Sequence, residues 1–125
     1  MPIASQKPIL LIDDDPDQVH VRELLLLRAG FTVASANSAE SALALLRDSE
    51  QDRFGAILTD HLLPGASGAE FVRMLRNVNP VVPVIVITGL AEAEEEYAGL
   101  NVSFREKPCA PEELIQLLKS VTGTT

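Results

Sequence analysis

Short apolar runs that suit β-strands alternate with helix-like segments along this chain, and turn and cap residues separate them. This alternation is typical of strand–helix–strand units, which form a parallel sheet with helices on both faces. We therefore predict an α/β fold with five strands and five helices. The predicted strands are at about 9–13, 31–36, 56–60, 82–88 and 102–105.

Cap residues mark the starts of four of the five predicted helices. Three starts carry a side-chain acceptor with an acid or amide three residues later, and the fourth carries a proline suited to a first turn. Gly30 is expected to end the first helix in a left-handed conformation. The fourth helix, about 91–97, is the weakest because glutamates dominate a short segment between two glycines. The four marked starts are at Asp15, Asn37, Ser67 and Pro111.

The size and composition of the chain fit one compact domain. Its 125 residues, of which 46% are hydrophobic, are enough to bury one core, so we predict a single domain over 1–125 with its core at about 8–121. No apolar stretch is long enough to span a bilayer, and residues 1–7 lack the apolar core of a signal peptide. A cytoplasmic protein without membrane contact is expected.

Charge and cysteine content argue against further classes of function. The formal net charge of −8, with no basic stripe, disfavours direct binding to nucleic acid. The single cysteine, Cys109, cannot form an internal disulfide or a cysteine-cluster metal site. We expect Cys109 and His20 to have structural roles only.

Three aspartates and one lysine lie at the ends of predicted strands. Asp13 and Asp14 end or follow the first strand, Asp60 ends the third, and Lys107 follows the fifth. Since the carboxyl ends of parallel strands meet at one edge of a sheet, we expect these side chains to lie together. Clustered carboxylates repel one another unless a hard cation binds them, and Mg2+ bound by carboxylates and a phosphate is a usual arrangement. The sequence therefore predicts a Mg2+ site, with Lys107 facing an anionic group.

Four segments, taken in order, resemble the receiver domain of two-component response regulators, the CheY-like superfamily. They are ILLIDDDPDQ, ILTDHLLPGASG, VIVITG and FREKP, and the resemblance covers about residues 8–121. It implies a flavodoxin-like (βα)5 doubly wound fold, with a five-stranded parallel sheet of order 2-1-3-4-5. It also implies a signalling protein that takes a phosphoryl group from a phosphohistidine on a sensor histidine kinase or a histidine phosphotransfer protein. Such a protein is not an enzyme, since it catalyses only its own phosphorylation and dephosphorylation.

The resemblance assigns roles to the acidic residues at the strand ends. Asp60 matches the phosphoacceptor, and Asp13 and Asp14 match the acidic pair that holds Mg2+, Asp14 directly and Asp13 through water. Asp60 itself and the backbone carbonyl of Leu62 are the other implied metal ligands. Mg2+ is the cofactor that the resemblance implies.

Four further residues match the part of the family site that responds to the phosphoryl group. Thr88 matches the hydroxyl that bonds to this group, and Lys107 matches its ion-pair partner. Phe104 stands where an aromatic side chain follows Thr88 inward, although a simple half-buried strand position is the alternative for Phe104. Pro108 is expected to follow Lys107 through a cis peptide bond.

Helix one is the implied docking surface for the phosphoryl donor. Val21, Leu25 and Ala29 form a stripe predicted to face the core, whereas Leu24 and Leu27 fall outside it. Burial under the fifth helix is the alternative for this excess apolar surface. We expect a monomer in the unphosphorylated state, and no dimer through the short fourth helix, the fifth strand and the fifth helix.

Three neighbours of the phosphoacceptor and of Thr88 complete the predictions. Leu62 and Leu90 are apolar at positions that tune hydrolysis in the family, which implies a long-lived phosphoryl group. His61 is expected to point outward or into a loop, because neighbouring strand residues face opposite sides.

The alternative function is a phosphorylation-independent pseudo-receiver that acts as an interaction module, although all five key residues of the family are present.

Overall fold

The structure is a computed structural model that describes residues 7–47 and 53–123. Residues 1–6, which hold most of the segment predicted to lack a signal-peptide core, lie outside the described residues, as do 48–52 and 124–125. Within the described ranges, no helix is both long enough and apolar enough to cross a membrane.

One five-stranded parallel sheet forms the centre of the fold. The strands of the described chain are β1 (Ile9–Ile12), β2 (Val33–Ala36), β3 (Ala56–Asp60), β4 (Leu62–Leu63), β5 (Ala66–Ser67), β6 (Val84–Thr88) and β7 (Ser103–Glu106). The sheet has the order β2-β1-β3-β6-β7, while β4 and β5 pair as a short antiparallel hairpin. Since β6 and β7 are the fourth and fifth strands of the sheet along the chain, the predicted order 2-1-3-4-5 and the doubly wound fold are confirmed.

Helices cover both faces of this sheet. In the described chain they are α1 (Pro16–Arg28), α2 (Ala39–Arg47), α3 (Gly68–Val78), a 3-10 helix (Ala91–Tyr97) and α4 (Pro111–Thr122). Buried side chains of β1 alternate between the faces: Leu10 and Ile12 pack with α2 and α3, whereas Ile9 and Leu11 pack with α1 and α4. The strands are therefore buried on both sides, as is typical of parallel sheets.

The predicted helix starts are confirmed at three positions and shifted at the fourth. The carboxylate of Asp15 accepts a hydrogen bond from the backbone N–H of Asp17, and Ser67 forms a reciprocal capping box with Glu70. The prediction of Asn37 as the cap of the second helix was one residue early. The hydroxyl of Ser38 accepts the hydrogen bond from the backbone N–H of Ser41 instead. Pro111 opens α4, and Gly30 follows α1 with a φ of 97°.

The acidic segment predicted as the weakest helix forms the 3-10 helix. Two of its residues, Ala93 and Tyr97, are buried, while its glutamates are exposed. Its short hydrogen-bonded turns suit a segment that has only two buried side chains to hold it.

The inward face of α1 differs from the predicted stripe. Val21 is 55% exposed, so the prediction that it faces the core is wrong, whereas Leu26 is fully buried. Val19, Leu26 and Ala29 pack against the core shared with α4. Steps of seven and three residues separate these side chains, and both steps return to nearly the same face of a helix.

Candidate functional site

The carboxyl edge of the sheet brings most of the predicted site residues together. Asp13 follows β1, Asp60 ends β3, and Thr88 ends β6, and all three side chains are buried. β1 pairs with β3, and β3 pairs with β6, so these strand ends are neighbours. The backbone N–H of Lys107 donates to the carbonyl of Thr88 at 2.8 Å, which fixes the lysine beside this edge.

One carboxylate oxygen of Asp60 lies beside the ammonium group of Lys107 but accepts no hydrogen bond. Oδ1 of Asp60 lies 3.2 Å from Nζ of Lys107, yet the angles do not make a hydrogen bond. No residue in the described chain donates to this buried oxygen. Buried polar atoms are nearly always paired, so an orphaned carboxylate oxygen indicates a place where a ligand or ion binds.

Arg22 belongs to the same site, and the sequence interpretation missed it. Its Nη1 atom lies 2.9 Å from Oδ2 of Asp13 and 3.7 Å from Oδ1 of Asp60. The Arg22 side chain is only 12% exposed, although it belongs to a long, always charged residue. Arg22 stands three residues after Val19 and four before Leu26, which both face inward. That spacing was the signal that could have placed it in the pocket.

Opposing effects act on the Asp13 carboxyl. Burial raises its pKa, and the neighbouring Asp60 carboxyl raises it further. The backbone N–H of Asp15, which donates to Oδ1 of Asp13 at 3.0 Å, and the Arg22 guanidinium both act to lower the pKa. The net shift is upward, so these neighbours do not fully offset the cost of burying the charge.

The predicted set of three carboxylates is not gathered in one place. Asp14 is exposed, and it lines with Asp13 a cleft of about 600 Å3 between α1, the end of β2 and the start of α2. In the part of the chain that the structure describes, no three acidic, histidine or cysteine side chains could together hold a metal ion. The remaining pair still suits Mg2+, because Asp13 and Asp60 are hard oxygen donors and Oδ1 of Asp60 lacks a hydrogen bond.

Thr88 and Phe104 lie on the two last strands of the sheet, as predicted. The hydroxyl of Thr88 accepts a hydrogen bond from the backbone N–H of Leu90 at 3.2 Å. Phe104 is half-buried, and its ring lies 5.9 Å from the ring of Tyr97 on the 3-10 helix. The predicted cis peptide bond between Lys107 and Pro108 is present.

His61 lies in the bend between β3 and β4, which fits the predicted loop position, but it is buried, so the prediction that it points outward was wrong. The chain leaves β3 after Asp60, and the ring turns toward the 3-10 helix rather than toward solvent. Nδ1 of His61 and the hydroxyl of Tyr97 share a hydrogen bond of 2.7 Å, and Nε2 lies 3.5 Å from a carboxylate oxygen of Glu96. Tyr97 therefore contacts both His61, the residue after Asp60, and Phe104.

A doubly wound parallel sheet with an acidic pocket at its carboxyl edge defines a flavodoxin-like α/β protein whose site lies at the strand ends. The chain belongs to the family of response regulator receiver domains, whose family model matches residues 9–119. Receiver domains are the phosphorylated modules of two-component systems, and they generally bind Mg2+ at their acidic site.

Individual relatives support this assignment. The chain is 32% identical over 124 residues to the phosphate regulon transcriptional regulatory protein PhoB of Pseudomonas aeruginosa, a match that covers 95% of this chain. It spans only about half of that regulator, 53% of its length.

Solved structures give the same result for the fold. A response regulator receiver domain protein from Methanospirillum hungatei superimposes with a TM-score of 0.87 at 26% identity, covering 95% of both chains. The chemotaxis response regulator CheY4 of Vibrio cholerae superimposes with a TM-score of 0.82 at 26% identity, covering 94% of this chain and 99% of that one.

Proposed function

We propose that Asp60 accepts a phosphoryl group from a phosphohistidine of a sensor histidine kinase or a histidine phosphotransfer protein. The observation that supports this most is the buried Oδ1 of Asp60, which lies beside Lys107 and has no hydrogen bond from the described residues. A carboxylate oxygen in this state is free to attack phosphorus, while the bond from phosphorus to the imidazole nitrogen breaks and the imidazole leaves.

Charge neutralisation is the main task of the surrounding residues. The transferring group carries negative charge on its outer oxygens, and Lys107 supplies a positive charge there. Asp13, Asp60 and the Leu62 carbonyl would hold Mg2+, which when bound neutralises the same charge. The protein then catalyses only its own phosphorylation and dephosphorylation.

Phosphorylation of Asp60 adds negative charge next to Thr88 and the hairpin, and such a charge can draw in a hydroxyl and reorder nearby loops. Because Phe104 packs on Tyr97, a movement of Phe104 would change the surface of the 3-10 helix. Leu62 and Leu90 are exposed apolar side chains beside the site, and the slow loss of the phosphoryl group that they imply stays a prediction. Dephosphorylation within seconds would contradict it.

The apolar face of α1 is the proposed contact for the phosphoryl donor. Three apolar side chains of α1 are 55%, 44% and 54% exposed: Val21, Leu24 and Leu27. Burial under α4, the fifth predicted helix, therefore does not account for Leu24 and Leu27. The same helix carries Arg22 into the pocket, so this surface lies on an element that borders Asp60. A monomeric state before phosphorylation, a cytoplasmic location and the absence of direct nucleic-acid binding stay predictions.

The test is intact mass after incubation with acetyl phosphate, with and without Mg2+, for the parent and for Asp60→Asn. We expect a Mg2+-dependent gain of one phosphoryl group that Asp60→Asn abolishes. Asp17→Asn, which changes an exposed carboxylate at the start of α1, is the matched control and should be phosphorylated like the parent. No gain in the parent, with no rise in thermal stability on adding Mg2+, would favour the pseudo-receiver.

A further inference from the structure

One cation in the site has no role in the proposed reaction. Arg22 reaches from the inward face of α1 to the two buried carboxylates, 2.9 Å from Asp13 and 3.7 Å from Asp60. Its side chain is only 12% exposed, so water screens these contacts weakly. A single guanidinium therefore contacts one carboxylate and lies beside the other.

Two adjacent buried carboxylates need a positive charge to remain ionised. In most acidic sites a metal supplies it, but a guanidinium is charged at every pH that a protein tolerates and needs no metal. Oδ2 of Asp13 already accepts a charge-assisted hydrogen bond from Arg22. A metal ion that used this oxygen would have to displace the guanidinium or bind beside it against charge repulsion.

We propose that Arg22 is a built-in counter-ion for Asp13 and Asp60, and that it lowers the affinity of the site for Mg2+. This inference rests on the proposed use of Mg2+ at this site. Arg22 balances the negative charge of the pocket when Mg2+ is scarce. It thereby sets the Mg2+ concentration at which Asp60 can accept a phosphoryl group. Arg22 is thus a positioning residue that acts through the metal site.

The test compares Mg2+ binding by the unphosphorylated parent chain and by Arg22→Met, using titration calorimetry. Methionine keeps much of the length and apolar stem of the side chain and removes the charge. We expect the Kd for Mg2+ to fall by about tenfold or more, the size of one charge-assisted hydrogen bond. Arg28→Met removes the same charge from an exposed position at the end of the same helix, and it should leave the Kd within about twofold of the parent.

The temperature of unfolding, Tm, gives a second measure of Mg2+ binding that does not depend on calorimetry. Without Mg2+, Arg22→Met should unfold at a lower temperature than the parent, because Asp13 loses its counter-ion and Asp60 keeps only Lys107. Saturating Mg2+ should raise its Tm by more than it raises the Tm of the parent. Arg22→Lys keeps a charge without the planar fork, so its Kd should lie between those of the parent and Arg22→Met.

The outcomes separate this inference from the proposed function. Equal Mg2+ affinity in the parent and Arg22→Met, or weaker binding in the variant, would overturn the role of Arg22 and leave phosphorylation of Asp60 standing. Failure of both proteins to bind Mg2+ would overturn the role of Arg22 together with the proposed use of the metal. Tight binding by Arg22→Met alone would support the inference even if the parent bound too weakly to measure.

Discussion

Arg76 and Arg22 are partly buried at opposite edges of the sheet, in opposite kinds of surroundings. The amino edge is the side of the sheet where its parallel strands begin. There the guanidinium of Arg76 donates to the backbone carbonyls of Asn79, Val82, Leu100 and Asn101. At the carboxyl edge, Arg22 faces Asp13 and Asp60, one of which has an oxygen without a hydrogen bond. Neutral carbonyls never change their charge, whereas carboxylates gain and lose partners when metal or phosphate binds. We therefore expect the partners of Arg76 to stay the same and the partners of Arg22 to change when a ligand binds.

Loss of the amino-edge contacts should have the largest effect on stability. Arg76→Met would leave four carbonyls without this donor, and we expect the free energy of unfolding to fall by about 3–5 kcal/mol. Urea denaturation measures this change. Mg2+ affinity should stay at the parent value, because Arg76 lies at the other edge of the sheet. A larger loss for Arg22→Met than for Arg76→Met would break the comparison of the two edges.

A second prediction concerns the backbone behind Asp60, where the changeable edge is tightly packed. A Cβ atom on Gly68 would overlap the hydroxyl of Tyr97 and lie 2.9 Å from the backbone oxygen of Asp60. We expect Gly68→Ala to lower the free energy of unfolding by about 2–3 kcal/mol in a urea titration. A much smaller loss would contradict this prediction, because it would mean that the backbone at the carboxyl edge can shift to make room for the added methyl group.

The control for Gly68→Ala lies on the same edge. A Cβ atom on Gly89, the residue after β6, would meet nothing within 4 Å. Gly89→Ala should therefore change the free energy of unfolding by less than about 1 kcal/mol. A similar loss in both variants would show that glycine itself, rather than the packing against Tyr97, is what the fold needs.

The smallest effect on stability is expected on the outer face of α1. Leu24 is 44% exposed, so Leu24→Glu should change the free energy of unfolding by less than about 0.5 kcal/mol. Phosphotransfer from a cognate donor should slow at least about tenfold if this face is the docking surface. Rapid-quench kinetics with the donor measures the rate, and unchanged stability together with an unchanged rate would defeat the docking proposal.

A matched control for this surface lies near the amino edge. Val81 is 74% exposed beside the carbonyls that Arg76 binds. Val81→Glu adds the same charge there, so it should alter neither stability nor the phosphotransfer rate. An equal slowing in both variants would mean that net charge, and not the face of α1, controls encounter with the donor.

Much of the fold and part of the site could be predicted from the sequence. The strand at Ala56–Asp60 was placed correctly at both ends, because an apolar run stops abruptly at an acid. Asp13, Asp60 and Lys107 were placed at one edge because topology alone brings parallel strand ends together, whereas the family resemblance placed Thr88 there. These predictions depend on local patterns and on strand order, which a sequence carries directly.

The errors arose where rotation of a helix or a distant contact decides the outcome. Arg22 enters the pocket because α1 is turned by part of a turn from the predicted stripe, and the many apolar residues of this helix fit more than one stripe. His61 turns inward because it meets Tyr97, 36 residues further along the chain. Asp14 is exposed, so it does not join the buried pair of Asp13 and Asp60.

Tyr97 is the single tyrosine of the chain, which has no tryptophan. Its buried hydroxyl shares a hydrogen bond with His61, its ring packs on Phe104, and burial holds the pKa of the phenol well above its ordinary value. The tyrosine fluorescence of this protein therefore comes from one ring, placed between His61, which follows β3, and Phe104 on β7. Rearrangement of that region can be followed optically in the native chain, without any label.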